Sequence, residues 1–339
     1  MATLEIFNIT TLIWQLPASP VIGLILLAHG CRQSPRVWFE RSLTCAACSP
    51  WPEERCMAEH AVQAGFAVVA ASNGEGTLGC WQSSDVAPVR SALDAWRRRN
   101  SLTTVPLFLM GPSSGGYFST QAARHWADVA ALSVQVSVPS LGDVASPLPS
   151  GAPSFPPLEL VLLRRDTAKL SEAAALSNGS WQGKEALQPL VVSPPLPVSP
   201  NFFSERIKGL SPSASEAVRA ALVATGRIDA SDGMVRQHPS RGQWKEEVER
   251  AVRAQPRSSL PQGSHLVAMD GIFAALALAW GNHASTCRSI GGTLAFFGRY
   301  GHQRGSGEVQ GVITPGGARP KKVRVHPPRH VDTEIRAGQ

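Results

Sequence analysis

The stretch VPLFLMGPSSGGYFSTQAA, residues 105–123, decides the fold. Its first six residues are a continuous apolar run, the pattern of a strand buried on both faces. From Tyr117 onward it reads as the start of a helix, predicted over 117–127. Between them lies Gly111-Pro112-Ser113-Ser114-Gly115. Strand, sharp turn and helix in that order form a nucleophile elbow, which holds a serine at strained φ > 0. The residues two before and two after such a serine must lack side chains, and Gly111 and Gly115 satisfy this. Ser113 is therefore the candidate nucleophile, since Ser114 would have Pro112 at its −2 position. The plainer reading is a Gly/Ser turn joining strand to helix in any α/β protein.

Similar apolar runs lie on either side of this stretch. They are 21–28 (VIGLILLA), 66–71 (FAVVAA) and 158–163 (LELVLL), with 129–138 as a fifth strand and 190–192 as a short sixth. Helical stretches alternate with them at 53–64, closed by Gly65, and at 85–99. This alternation predicts an α/β fold with a mostly parallel, doubly wound sheet. The proline-rich segment 189–200 ends it. Residues 205–254 then read as short amphipathic helices broken at Asp232-Gly233, which suits a helical cap. Residues 264–283 read as one long apolar helix. The predicted organisation is a core over 1–200, a helical cap over 201–262, a helical part of the core over 263–298, and a disordered basic tail over 299–339.

The formal charge of +7 over 339 residues suggests a polyanion partner, but its distribution argues otherwise. Residues 299–339 hold eight Lys/Arg against three Asp/Glu, so the body carries only +2. No nucleic-acid partner is expected. The apolar run 21–28 is too short to span a bilayer, so no membrane span is expected either. The first positive charge is Arg32, so no cleavable signal peptide is legible, and the default localisation is cytoplasmic. The glycosylation triplets at Asn8 and Asn178 carry little weight without a signal. Among six cysteines, Cys45-Ala46-Ala47-Cys48 suits either a local disulfide or two free thiols. No second CxxC or HxxxH pair completes a zinc site, and no GxGxxG or GxxxxGK[ST] motif suggests a nucleotide. Neither metal nor organic cofactor is expected. The oligomeric state cannot be read.

An activated serine needs amides for the developing oxyanion, a base and an acid. The residue after the nucleophile supplies one amide, that of Ser114. His29-Gly30-Cys31 follows the run 21–28 at the place for the second, so the Cys31 N–H is the other candidate; an ordinary strand-ending turn is the rival reading. Asp166 closes the run 158–163 at a carboxyl end of the sheet, where sites of open α/β sheets lie. It could equally cap the next helix or pair with Arg164 or Arg165. Six histidines follow it. His238 lies in a polar turn, and His302, His326 and His330 lie in the tail. His265 and His283 remain. Eighteen residues apart, they would be separated by about 27 Å along a single helix, so both cannot reach Ser113. His283 is preferred because it follows the apolar stretch 272–280, and His265 is the alternative base.

These residues resemble a poorly characterised group of plant and green-algal α/β-hydrolases within the serine hydrolase superfamily. The matching stretches are Trp14-Gln15-Leu16-Pro17, LLAHGCRQS (26–34), Cys45-xx-Cys48 with Pro52-Glu53-Glu54, Cys80-Trp81, GPSSGGYFSTQAA (111–123), RRD (164–166), PVSPNFFSERI (197–207) and AWGNH (279–283). They cover roughly residues 11–298. The resemblance implies the α/β-hydrolase fold and favours His283 over His265. It also implies more chain ahead of Trp14, and an acidic residue after the histidine, where this chain has Ala284-Ser285-Thr286. The expected function is hydrolysis of a small-molecule carboxylic ester through an acyl-enzyme, with Ser113, His283 and Asp166 as triad. A non-catalytic ligand-binding protein on the same fold is the alternative, and a serine peptidase a weaker one.

Overall fold

The computed structural model describes residues 1–74, 79–152, 154–181, 184, 187–188, 191–239, 241–261 and 264–301. Its centre is an eight-stranded sheet: β1 (Thr3–Phe7), β2 (Thr10–Gln15), β3 (Gly23–Ala28), β4 (Phe66–Ala71), β5 (Leu107–Pro112), β6 (Val129–Gln135), β7 (Leu158–Leu163) and β8 (Val191–Ser193). The spatial order is β1-β2-β4-β3-β5-β6-β7-β8. β2 pairs antiparallel with both β1 and β4, and every other pairing is parallel. The N-terminal hairpin was not predicted, although the two-residue turn Asn8-Ile9, with Asn8 at φ 53°, was available as a signal.

The helices are α1 (Pro52–Gln63), α2 (Val86–Arg99), α3 (Ser114–His125), α4 (Leu141–Ala145), α5 (Thr167–Asn178), α6 (Pro212–Ala224), α7 (Arg241–Arg253), α8 (His265–Trp280) and α9 (Ile290–Gly301). They cover both faces of the sheet, as alternation along β3 shows. Leu24, Leu26 and Ala28 share one apolar cluster with Trp96 of α2 and Phe118 of α3. Ile25 and Leu27 share the other with Met57 of α1 and Phe296 of α9. The fold is thus the doubly wound, mostly parallel α/β sheet that the apolar runs predicted, because strands buried on both faces must be apolar throughout.

A third apolar cluster belongs to the helical segment that follows the sheet. It joins Phe203, Val218 and Leu222 to Trp244 and Val248 of α7 and Ile272 of α8. This core runs on into α8, past residue 262, where the cap was expected to end. Among the described residues, no helix is long and apolar enough to cross a membrane.

Several boundaries differ from those predicted. α3 starts at Ser114, not Tyr117, because Gly115 and Gly116 lie inside the helix, packed against backbone and Ser137. β6 ends at Gln135 because Val136 turns to φ 45°. α9 runs through Arg299 to Gly301, with Phe297 fully buried. Residues 302–339, most of the predicted tail, lie outside the described residues, as do Leu190 and residues 262–263, where the cap was expected to meet the helical part of the core.

Candidate active site

β5 ends on Pro112 and α3 begins on Ser114, so Ser113 alone makes the turn, at φ 54°, ψ −120°. Its N–H donates to the Gln135 carbonyl at 2.8 Å, and its own carbonyl accepts from the Gly116 and Tyr117 amides. A Cβ on Gly111 would lie 2.6 Å from the Gly115 carbonyl carbon, and one on Gly115 would overlap the Ala28 carbonyl oxygen. Both glycines are therefore required by close backbone approach.

Asp166 stands just beyond β7 and serves two purposes with its two oxygens. Oδ1 accepts the Lys169 N–H at 3.3 Å, capping α5, and Oδ2 accepts from His283 Nδ1 at 2.9 Å. The helix-cap reading and the acid reading of this residue thus coexist. The neighbouring Arg165 does not compete, since its guanidinium lies 3.8 Å over the Trp280 ring. An ionised carboxylate only accepts, so Nδ1 of His283 carries the proton and Nε2 presents a lone pair. Nε2 lies 2.8 Å from Ser113 Oγ. His283 is half-exposed and Asp166 buried.

The loop carrying His283 has almost no regular structure of its own. α8 stops at Gly281, whose φ of 75° reverses the chain. The loop is fixed from outside. The Arg165 N–H donates to the Gly281 carbonyl at 2.9 Å. Gln135 takes both backbone groups of Thr286, at 2.9 and 3.1 Å. From the first turn of α1, Glu53 accepts the Cys287 N–H at 2.7 Å and Glu54 accepts the Ser285 hydroxyl at 2.8 Å. A Cys56–Cys287 disulfide completes the attachment. Where the resemblance implies an acidic residue this chain has Ala284-Ser285-Thr286, and the carboxylates that meet this loop come from α1.

On the other side of the serine, the peptide joining Gly30 to Cys31 is oriented by its carbonyl. That oxygen accepts from the His29 ring at 2.8 Å and from the Gln33 N–H at 3.3 Å. In a trans peptide the Cys31 N–H then points the opposite way. Gly30's own N–H is occupied by Gln33 Oε1 at 2.8 Å. The Cys31 N–H donates to no described residue. As the first residue of α3, Ser114 has an N–H that no intrahelical carbonyl can accept. Burial pushes His29 down to about 4, so its ring is neutral. A Cys31–Cys80 disulfide ties this loop down, and the Trp81 indole N–H donates to the His29 carbonyl at 2.8 Å.

Cys31, Ser113 and His283 line one cavity of about 270 Å³. Its walls differ in chemistry: Gln33, Glu53 and Glu54 are polar, while Val136 and the α8 residues Ala274 and Ala277 are small and apolar. Burial raises Glu53 above the usual carboxylate range and takes Glu54 to about 7. Val136, a β-branched residue at positive φ, is strained at the edge of this cavity.

The structure thus brings Ser113, His283 and Asp166 into one hydrogen-bonded series and sets Cys31 and Ser114 around the serine. It does not bring His265 there. That residue opens α8, about 22 Å along the helix from Trp280. Sequence reasoning assigned no role to Glu53, Glu54 or Gln33, although the Pro52-Glu53-Glu54 motif stood out. It also left the cysteines open, whereas all six pair, as Cys31–Cys80, Cys45–Cys48 and Cys56–Cys287.

The strand order, with β2 alone reversed and a serine turn after β5, is that of the α/β-hydrolase fold. No known family model and no curated protein matches the sequence. Solved structures that are similar include a dienelactone hydrolase from Anabaena variabilis, 18% identical, spanning 57% of this chain and 87% of its own, at a TM-score of 0.38. A cold-adapted esterase from an Arctic intertidal metagenomic library is 16% identical over 55% of this chain and 79% of its own, at 0.39. An acetyl xylan esterase from Aspergillus awamori is 13% identical over 48% and 72%, at 0.37. At these identities and TM-scores neither activity nor substrate transfers to this chain. Nor do they support the plant and green-algal kinship implied by the sequence motifs.

Proposed function

We propose that the protein is a serine hydrolase of small carboxylic esters, working through an acyl-enzyme. The carrying observation is the continuous series Ser113 Oγ, His283 Nε2, His283 Nδ1–H, Asp166 Oδ2, at 2.8 and 2.9 Å. As Ser113 Oγ bonds to the ester carbonyl carbon, its proton passes to His283 Nε2. The carbonyl oxygen gains the electron pair and is held by the Cys31 and Ser114 amides. Collapse of this adduct breaks the bond to the alcohol, which leaves with the proton from Nε2. Water then repeats the sequence on the acyl-enzyme, releasing the acid and regenerating Ser113. Asp166 keeps the imidazole in the required tautomer and stabilises its cationic form. No metal or organic cofactor enters this scheme.

The cavity suits a small acyl group against Ala274 and Ala277, and the helical layer built around α6, α7 and α8 acts as the cap over it. Three disulfides suit an oxidising compartment better than the cytoplasmic default. The test is labelling by a fluorophosphonate probe together with hydrolysis of p-nitrophenyl acetate. Both should occur in the wild type and vanish in Ser113→Ala. A folded wild type inert to both would be a binding protein instead.

A further inference from the structure

One residue beside the serine turn has contacts that the mechanism does not explain. Gln135, the last residue of β6, is 1% exposed, and its backbone and side chain meet different partners. Its backbone carbonyl accepts the Ser113 N–H at 2.8 Å. Its side-chain Oε1 accepts the Thr286 N–H at 2.9 Å, and Nε2 donates to the Thr286 carbonyl at 3.1 Å. Nε2 also donates to Met57 Sδ of α1 at 3.1 Å. Thr286 lies three residues beyond His283. One residue therefore grips the serine turn with its backbone and the base loop with its side chain.

The other attachments of the base loop lack this property. Glu53, Glu54 and Cys56 tie it to α1, and Asp166 and Arg165 tie it to the chain beyond β7. Among the described residues, only Gln135 hydrogen-bonds both to Ser113 and to this loop, apart from the His283–Ser113 contact itself. The form of the grip also matters. A lone hydrogen bond lets a loop pivot, whereas two from one planar amide set both distance and angle. The buried Thr286 peptide groups need some partner. That this partner is the residue already holding Ser113 makes the serine turn and the base loop move as one.

We infer that Gln135 is a positioning residue that sets the separation of Ser113 Oγ and His283 Nε2, holding the first through its carbonyl and the second through Thr286. This rests on the ester-hydrolase reading above. Proton transfer needs the two atoms within hydrogen-bond reach, and a displacement of about 1 Å costs on the order of 100-fold in rate.

The experiment measures melting temperature, and kcat and KM on p-nitrophenyl acetate at pH 6, for Gln135→Met, Gln135→Glu, Gln135→Asn and Ser133→Ala. Gln135→Met keeps the side-chain length and removes both bonds to Thr286. It should lower kcat about 100-fold with KM changed by less than about threefold. Gln135→Glu should be about tenfold faster than Gln135→Met, because a buried carboxyl keeps its proton at this pH and again presents a donor beside an acceptor. A space-filling role predicts the reverse order, since methionine is the more readily buried of the two. Ser133→Ala controls for stability. It removes a buried hydrogen bond to Glu159 and should lower the melting temperature while leaving kcat within about threefold. If Gln135→Met does not fold, Gln135→Asn decides: its amide is one methylene short of Thr286, and kcat should fall about tenfold or more. Wild-type kcat in the deciding variant overturns the inference, as does a Gln135→Glu no faster than Gln135→Met, or a Ser133→Ala that loses kcat as steeply. A folded wild type that neither cleaves ester nor takes the fluorophosphonate probe overturns the hydrolase reading instead, and the inference with it.

Discussion

The serine turn and the histidine loop meet at 2.8 Å but are built in opposite ways. Ser113 is held almost wholly by its own neighbourhood: β5 before it, α3 after it, and glycines two residues to either side. His283 owes little to its neighbours. Its loop is held by Asp166, Gln135, Glu53, Glu54 and Cys56, from 117 to 234 residues away in sequence. A serine turn can thus be encoded in a short motif, while the histidine that meets it depends on the finished tertiary structure. Damage to the first region should act locally, and damage to the second should travel from distant substitutions.

The largest effects come from removing the chemistry on either side. Ser113→Ala and His283→Ala should each lower kcat on p-nitrophenyl acetate by about 10⁴-fold or more, since such groups act as a unit. His265→Ala should change it by less than about tenfold. Equal collapse in folded His265→Ala would show that the base has been taken from the wrong end of α8. Next comes the backbone of the serine turn. Gly115→Ala places a methyl group against the Ala28 carbonyl, and neither backbone can give way. It should cost at least about 3 kcal/mol in denaturant unfolding. A near-neutral result would mean that the turn is less constrained than described.

The third test addresses the histidine loop from a distance. Replacing Cys56 and Cys287 by Ala should cost about 2–4 kcal/mol and slow fluorophosphonate labelling of Ser113 about tenfold. The same change at Cys45 and Cys48, which close a loop with a separation of only 3, should leave the labelling rate unchanged. Identical behaviour of the two pairs would erase the contrast between local and distant anchoring.

The smallest effect depends on pH. Glu54 holds its proton to about 7, against 4.5 for an ordinary glutamate. Between those values the folded protein keeps a proton that the unfolded chain has released. Stability therefore falls as pH rises through this window, and the deficit is complete above it. His29 acts in the opposite sense: its contribution is full above 6.5 and is lost as pH falls towards about 4. Glu54→Gln removes only the first of these. It should unfold at a higher temperature than the wild type at pH 8, by the equivalent of about 1–3 kcal/mol, and at the same temperature near pH 4.5. A difference that does not vary with pH would show that Glu54 titrates normally.

What the sequence disclosed follows the same division. Strands, the serine turn and the carboxyl end of β7 are short-range features, and they were legible from apolar runs and two glycines. Asp166 was found because it closes a strand. Helix length excludes only one of His265 and His283; the apolar stretch before His283 and likeness to other proteins choose between them. The β1–β2 hairpin is hard to read because neither TLEIF nor TTLIWQ is a continuous apolar run or a strict alternation. The Cys31–Cys80 and Cys56–Cys287 pairs, 49 and 231 residues apart, leave no spacing signal. For the same reason Glu53 and Glu54 looked like an ordinary acidic helix start. Their second role exists only once residues 285–287 pack against them.

The 231-residue span of the Cys56–Cys287 bridge also bears on how the chain is made. Synthesis at about 5–20 residues per second delivers Cys56 roughly 10–50 s before its partner. For most of that interval the growing chain carries Ser113 without the loop that faces it, and a Cys56 thiol beside His60 whose competing partners are the four other cysteines already made. The loop at 283–287 then brings His283 to Ser113 and closes the covalent ring together. On the ester-hydrolase reading, reactivity is thus withheld until that loop is made and the bridge is oxidised, so that maturation itself acts as the safety catch.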